Sequence, residues 1–187
     1  MECFLDVKLR PDPEFVEHLL LNALFAKLHL ALVEDNSAGI AICFPGHQTS
    51  PPSLGACMRL LGSRQALQAL ARTDWLGGLR DHVKVSELAK VPLTAAHRKL
   101  RRVQAKSSPE RLRRRLMKRH SLDGKQAHER IPDSAAEILK LPFVQVRSFG
   151  TGQTFRLFLH LDKEEVGPLP GRFNAYGLSQ DATIPWF

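Results

Sequence analysis

A chain of 187 residues that is 43% hydrophobic can bury a substantial core, as one large domain or two small ones. No apolar run reaches the roughly 18–20 residues of a membrane span, and three scattered cysteines (Cys3, Cys43, Cys57) without a Cys-x-x-Cys spacing exclude a disulfide framework or zinc site, fitting buried thiols in a reducing cytoplasm. The formal charge is +8, yet Arg98–Arg119 alone holds eleven Lys or Arg against one acid, Glu110, so the rest of the chain is slightly acidic and the basicity is local, as a polyanion partner requires.

Residues 3–9, "CFLDVKL", alternate, with Cys3, Leu5, Val7 and Leu9 on one side and Asp6 and Lys8 on the other, which predicts a half-buried strand. The acids at the start and Pro-Asp-Pro soon after are not the pattern of a signal peptide. Asp12-Pro13 reads as an N-cap followed by a first helical residue. The helix then runs to about Val33, apolar at Val16, Leu20, Leu24, Leu28 and Ala31. "GIAICF" (39–44) predicts a second strand, 47–55 a loop, and "ACMRLLG" (56–62) a third strand. Ser63 caps a second helix, and 80–87 alternates as a fourth strand. The resulting β-α-β-β-α-β order over 1–94 is ferredoxin-like, a pattern RNA-recognition domains also use.

Residues 89–97 read as a linker, after which the composition changes and 95–187 forms a smaller α/β domain, making the whole chain α+β. Ser107 and Glu110 have the spacing of a capping box, with Pro109 in the first turn of a basic helix over about 108–120. On that helix Leu112 and Leu116 form a narrow apolar seam about 40° wide, while Arg111, Arg114, Arg115, Lys118 and Arg119 share an arc of about 140°. Crowded like charges cost a few tenths of a kcal/mol per close pair, and no interleaved acids relieve them, so the face fits nucleic acid. Upstream, Arg102 and Gln104 lie two apart on an extended segment, and both side chains can bond purine edges bidentately. Further on come a short helix at "SAAEILKL", a strand over 142–148, a Gly-bearing turn at "FGTGQ" (149–153) and a returning strand over 154–161, which make a β-hairpin.

"LRPDPEF" (9–15), "KLH" (27–29), "RVQAKS" (102–107), "PERLRRRLM" (109–117), "RIPD" (130–133), "LPFV" (141–144), "TGQ.FRLF" (151–158) and "YGLS" (176–179) occur here in an order and spacing that is highly specific. In these the chain resembles the CRISPR RNA-processing endoribonucleases of type I-F systems, a divergent branch of the Cas-six repeat-cleaving enzymes, over nearly its whole length. The resemblance implies a ferredoxin-like domain joined to a smaller domain with an arginine-rich helix. It implies cleavage of pre-crRNA at the 3′ base of the repeat stem-loop, retention of the crRNA, and service as a subunit of a crRNA-guided surveillance complex. Arg114, Arg115 and Arg119 would grip the stem in its major groove, with Arg111 and Lys118 assisting. Arg102 and Gln104 would read bases at its foot, and Phe155 would stack under the terminal pair. The family has Arg where this chain has Lys118, which lacks the planar fork and suits a plain phosphate contact. "SFGTGQ" also departs from the family's "SQSTGQ".

RNA carries its own nucleophile, the ribose 2′-OH, and an imidazole with an unperturbed pKa near about 6.5 is a competent base for it. Eight histidines compete for that role, and pattern alone selects none; His29 by itself reads as a packing or surface residue. The resemblance makes His29 the general base, Ser148 the holder of the 2′-OH or ribose, and Tyr176 the residue that orients His29 through its hydroxyl. The expected products are a 2′,3′-cyclic phosphate and a 5′-hydroxyl. No paired carboxylates and no H-x-x-x-H or H-E-x-x-H spacing occur, so neither metal nor other cofactor is expected. A non-catalytic RNA-hairpin-binding protein is the alternative, and a basic-helix DNA binder, lacking an obvious helix-turn-helix, stands behind it.

Overall fold

In the computed structural model, which describes residues 1–34, 39–104, 109–133, 139–148, 150 and 152–187, Cys3–Leu9 forms β1 and turns its odd-numbered side chains into the core. Asp6 departs from the outward position that alternation predicts. It is buried, and its carboxylate accepts from Arg59 Nε at 2.7 Å and Nη2 at 3.0 Å. A buried carboxylate is tolerated only with its counter-charge. Arg59 brings that charge while lying over the rings of Phe4 and Phe187, 4.7 and 4.0 Å from their centroids.

Asp12 and Pro13 do not open the first helix. The Asp12 carboxylate accepts from the Glu14 and Phe15 amides, both at 2.9 Å, and lies 2.8 Å from His82 Nδ1, so it closes a separate turn. Helix α1 follows as Glu17–Glu34, burying Leu20, Leu21, Leu24, Phe25, Leu28, Ala31 and Leu32 at helical spacing. Val16 stays exposed.

β2 is Ala41–Cys43. The predicted loop contains a small hairpin of β3 (Gln48–Thr49) and β4 (Pro52–Ser53), and β5 is Cys57–Gly62. Ser63 caps α2 (Arg64–Arg72) as expected, its hydroxyl accepting from the Ala66 amide at 3.1 Å. β6 is Val83–Val85, shortened by a 3-10 turn at Arg80–His82. The sheet order is β2-β5-β1-β6, with every pairing antiparallel. Residues 89–97 are not a free linker: β7 (Ala89–Lys90) pairs with β1, and β8 (Ala96–Arg98) begins within the same stretch.

Beyond these come β9 (Leu100–Val103), α3 (Pro109–His120), α4 (Gly124–Arg130), β10 (Phe143–Arg147), β11 (Thr154–Leu161) and β12 (Ile184–Trp186). The predicted hairpin is β10-β11, and β9 adds to it as a third antiparallel strand; β12 pairs with β8. Ser107 and most of the predicted "SAAEILKL" helix (134–138) lie outside the described residues, as do Phe149 and Thr151 of the turn.

The chain divides into two units, Met1–Val103 with Leu141–Phe187, and Gln104–Lys140. In the first, one apolar core joins the two larger sheets. Val144, Val146, Leu157 and Leu159 pack in the same cluster as Leu24, Leu28 and the inner face of β1. The Asn22 side-chain oxygen also takes the Gln145 amide at 2.8 Å, tying α1 to the edge of β10. Cys3 and Cys43 are buried and Cys57 half-buried; burial raises the Cys43 thiol and pushes the Cys57 thiol up to about 11, so those two are protonated packing groups.

Among its described residues the second unit is a helix pair. Asp123 caps α4 in a reciprocal box with Gln126, and Ala127 is fully buried. Arg113 Nε donates to the Ile131 carbonyl at 2.6 Å and Nη2 to Asp133 at 2.5 Å, which holds the Asp133 carboxyl below its usual range. Among the described residues no helix is long and apolar enough to cross a membrane.

Candidate active site

The rotation of α1 is set by Leu24, Leu28 and Leu32, which face the core. His29, next in sequence to Leu28, is thereby left half-buried at the core's edge. Its Nδ1 lies 2.8 Å from the carbonyl oxygen of Ala175. A carbonyl can only accept, so Nδ1 carries a hydrogen and, in the neutral ring, Nε2 is the nitrogen with the lone pair. That is the tautomer a general base needs.

The carbonyl is in place because residues 173–179 form a tightly held turn. The Asn174 side-chain oxygen accepts from the Tyr176 and Leu178 amides at 2.9 and 3.2 Å, and the Gly177 amide donates to the Asn174 carbonyl at 2.8 Å. Gly177 has φ +71°, and a Cβ there would come within 3.0 Å of the Ile42 side chain. Both facts demand glycine. The Gly177 carbonyl accepts from the Ile42 amide at 2.9 Å and the Ser179 amide donates to Leu100 at 2.9 Å, so the turn is anchored to β2 and β9.

Tyr176 meets His29 by its ring and not through the hydroxyl that was expected to orient it. The two rings stack with centroids 4.0 Å apart and an interplanar angle of 21°, and Phe25 backs the tyrosine at 5.9 Å and 14°. One face of the imidazole is thus covered, while the Ala175 carbonyl fixes its direction.

Ser148 follows β10 directly. Its amide donates to the Gln153 carbonyl and its own carbonyl accepts from the Gly152 amide, both at 2.8 Å, closing the turn back to β11; Gly152 has φ +66°. His29 and Ser148 line one cavity of about 320 Å³ with Ala26, Val146, Arg147 and Gly152. Arg147, which the residue pattern did not single out, reaches round the turn and donates from Nε to the Gly152 carbonyl at 3.2 Å. The cleft therefore gathers an imidazole in a defined tautomer, a serine and a guanidinium. Among the described residues no three His, Cys, Asp or Glu side chains come together as a metal could use them.

The expected RNA contacts fall in two groups. In the first unit the Arg102 guanidinium lies over Phe155, 5.4 Å from the ring centroid, and its Nε is buried without a hydrogen-bond partner among the described residues. Phe155 is half-buried on β11. In the second unit Gln104, Arg111, Arg114, Arg115, Lys118 and Arg119 are exposed, whereas Leu112 and Leu116 are half-buried. The predicted seam and cationic face of α3 thus separate as drawn. Arg113, on the seam side, braces α4's exit; its charge alone gave no hint of that role.

The family described as CRISPR-associated protein (Cas_Csy4) matches residues 4–187. The chain belongs to that family. It is similar to the CRISPR-associated endonuclease Cas6/Csy4 of Pseudomonas aeruginosa (strain UCBPP-PA14), at 48% identity over 187 residues and 100% of both chains. It is also similar to the CRISPR-associated endonuclease Cas6/Csy4 of Escherichia coli (strain UTI89 / UPEC), at 42% identity over 187 residues and again 100% of both. As a member of that family the chain is a CRISPR RNA-processing endoribonuclease.

Proposed function

We propose that this chain, a CRISPR RNA-processing endoribonuclease, cuts its precursor transcript at the 3′ base of the repeat hairpin by attack of a ribose 2′-oxygen on the adjacent phosphate. His29 Nε2 takes the 2′-OH proton. The 2′-oxygen forms a bond to phosphorus as the bond to the 5′-oxygen breaks, and the leaving oxygen takes up a proton. The products are a 2′,3′-cyclic phosphate and a 5′-hydroxyl, with no water consumed and no metal required. Ser148 holds the ribose hydroxyl in line, Tyr176 keeps the imidazole plane in place, and Arg147 balances the charge that builds on phosphorus.

The exposed cations of α3, namely Arg111, Arg114, Arg115, Lys118 and Arg119, grip the stem's major groove. Arg102 and Gln104 read bases at its foot, and Phe155 supports the terminal pair. The buried Nε of Arg102, without a partner among the described residues, supports this reading, because a donor stranded that way costs about 1–3 kcal/mol until an acceptor arrives. The sheet order β2-β5-β1-β6 with its two helices supports reading residues 1–94 as ferredoxin-like, and the exposed cations of α3 support placing the RNA-binding part within 95–187. The crRNA stays bound, and the protein serves in the cytoplasm as a subunit of a type I-F surveillance complex.

The observation that carries the mechanism is the Ala175 carbonyl on His29 Nδ1, which leaves Nε2 as the basic nitrogen. Repeat RNA with a 2′-deoxy sugar at the cut nucleotide should bind undiminished and remain whole, in EDTA and in magnesium alike. His29→Ala should bind and not cut. Cleavage of the deoxy substrate would overturn the mechanism.

A further inference from the structure

The cleft that holds His29 and Ser148 lies where two elements of the first unit meet, with His29 on helix α1 and Ser148 at the end of strand β10. Apolar packing brings these elements together, since Leu24 and Leu28 of α1 share a core cluster with Val144 and Val146 of β10. Contacts of that kind are non-directional, so they resist separation without fixing how far the helix slides or tilts along the strand. A hydrogen bond does fix it, because it fails outside a narrow range of distance and angle. Such a bond runs from the Gln145 amide to the Asn22 side-chain oxygen at 2.8 Å. β10 is an edge strand of its sheet, which leaves this amide free to point at the helix and not into the ladder.

The place of the bond ties it to the reaction. From Asn22 to His29 is two turns of helix, which returns to nearly the same face about 10 Å further on. From Gln145 to Ser148 is three residues of extended chain, also about 10 Å. Equal strides on the two elements thus lead from the bridge to the facing pair. Hollow space flanks the bridge on both sides. Toward the site is the cleft of about 320 Å³, with Ala26 and Val146 at its wall. Toward the start of α1 a second cavity of about 210 Å³ separates His18 and Leu21 from Pro142 and Phe143. Side chains do not fill the gap between helix and strand at either place, so the bridge between them has little packing to take over its task.

We infer that Asn22 is a positioning residue for cleavage: by holding the Gln145 amide it sets the register of α1 on β10, and with it the reach of the His29 imidazole to the ribose beside Ser148. The inference rests on the roles proposed for His29 and Ser148. Asn22 needs no contact with RNA, because it acts through the helix. A tilt of about 6° about the bridge moves a group about 10 Å away by about 1 Å, and a misplacement of that size costs up to about 100-fold in rate.

The test is single-turnover cleavage of repeat hairpin RNA, with affinity measured separately on hairpin carrying a 2′-deoxy sugar at the cut. Asn22→Leu keeps the volume and removes the acceptor. It should slow cleavage about 10- to 100-fold at saturating enzyme, with affinity within about twofold of wild type. Asn22→Asp keeps an oxygen for the amide and should recover most of the rate. Gln145→Pro removes the donor instead, on a strand edge where proline is tolerated, and should slow cleavage as Asn22→Leu does, with the double variant no slower than either. Where Gln145→Pro does not fold, the two Asn22 variants decide. Asn22→Leu cutting within about twofold of wild type overturns the inference. So does Asn22→Asp as slow as Asn22→Leu, or affinity that falls in step with rate, either of which makes Asn22 an ordinary packing or binding residue. The proposed mechanism fails by a different result: His29→Ala cutting at the wild-type rate would remove it and this inference together, whereas an inactive His29→Ala beside a fully active Asn22→Leu sinks the positioning role alone.

Discussion

At His29 the decisive neighbour is a main-chain atom. The Ala175 carbonyl sets the tautomer, and the Tyr176 ring, 4.0 Å away and nearly parallel, limits how the imidazole can tilt. If stacking is what Tyr176 contributes, its hydroxyl is dispensable. Tyr176→Phe should then cut within about twofold of wild type, whereas Tyr176→Leu, which removes the plane, should slow single-turnover cleavage about tenfold or more with hairpin affinity unchanged. The reverse order would restore the hydroxyl to the mechanism. In the proposed mechanism Arg147 has a different signature, because it would meet charge and not the proton. Arg147→Gln should lower the cleavage rate about 10- to 100-fold without altering the shape of the pH–rate profile, and Arg147→Lys should recover part of the loss. A change in the profile would make Arg147 a partner of the base. Neither Arg147 nor the Asn174 turn was legible beforehand, since one is a lone cation on a strand and the other acts through backbone atoms 146 residues from His29.

Elements were more readable than residues, and the exceptions have physical causes. β1, α2 and the β10-β11 pair follow directly from alternation and a serine cap. The start of α1 was misread because Asp12-Pro13 makes a good turn as well as a good N-terminus, and His82, from a distant segment, chooses the turn. Helix α4 went unpredicted although Asp123-x-x-Gln126 is the spacing of a capping box, masked by the basic run before it. The cationic face of α3 was fully legible, since like charges without acids cannot be explained by the helix itself. Its prediction is a salt slope. If about five of these cations meet phosphates, log K for the repeat hairpin should fall with log salt at roughly −4, and Arg114→Ala should reduce that slope by about one contact. Arg113→Ala should behave otherwise, lowering the melting temperature of the α3–α4 pair, because Arg113 is committed to Ile131 and Asp133. A flat salt dependence would remove the electrostatic account of the helix.

At the scale of the whole first unit, distant segments converge on one histidine whose role composition could not reveal. His47 lies in the predicted loop, yet its ring packs edge-on to Trp186 at 6.5 Å, and its Nε2 is buried without a partner among the described residues. Burial drives its pKa below the ordinary 6.5, and the charges of His160 and Arg98 push the same way, against hydrogen bonds with the backbone of Leu159 and of His47 itself. His47 therefore joins the β3-β4 region, β11 and the β8-β12 pair more favourably when neutral. Well above pH 6.5 it is neutral in folded and unfolded chains alike and costs nothing. As pH falls below 6.5 the unfolded chain takes up a proton that the folded chain refuses, so stability drops until the folded-state pKa is passed. Melting temperature measured from pH 7.5 down to pH 5 should decline more steeply for wild type than for His47→Gln, with the two curves diverging only below about pH 6.5. Parallel curves across that window would mean His47 accepts its proton within the fold, and the junction of the three segments would then have to be held by something other than a buried neutral ring.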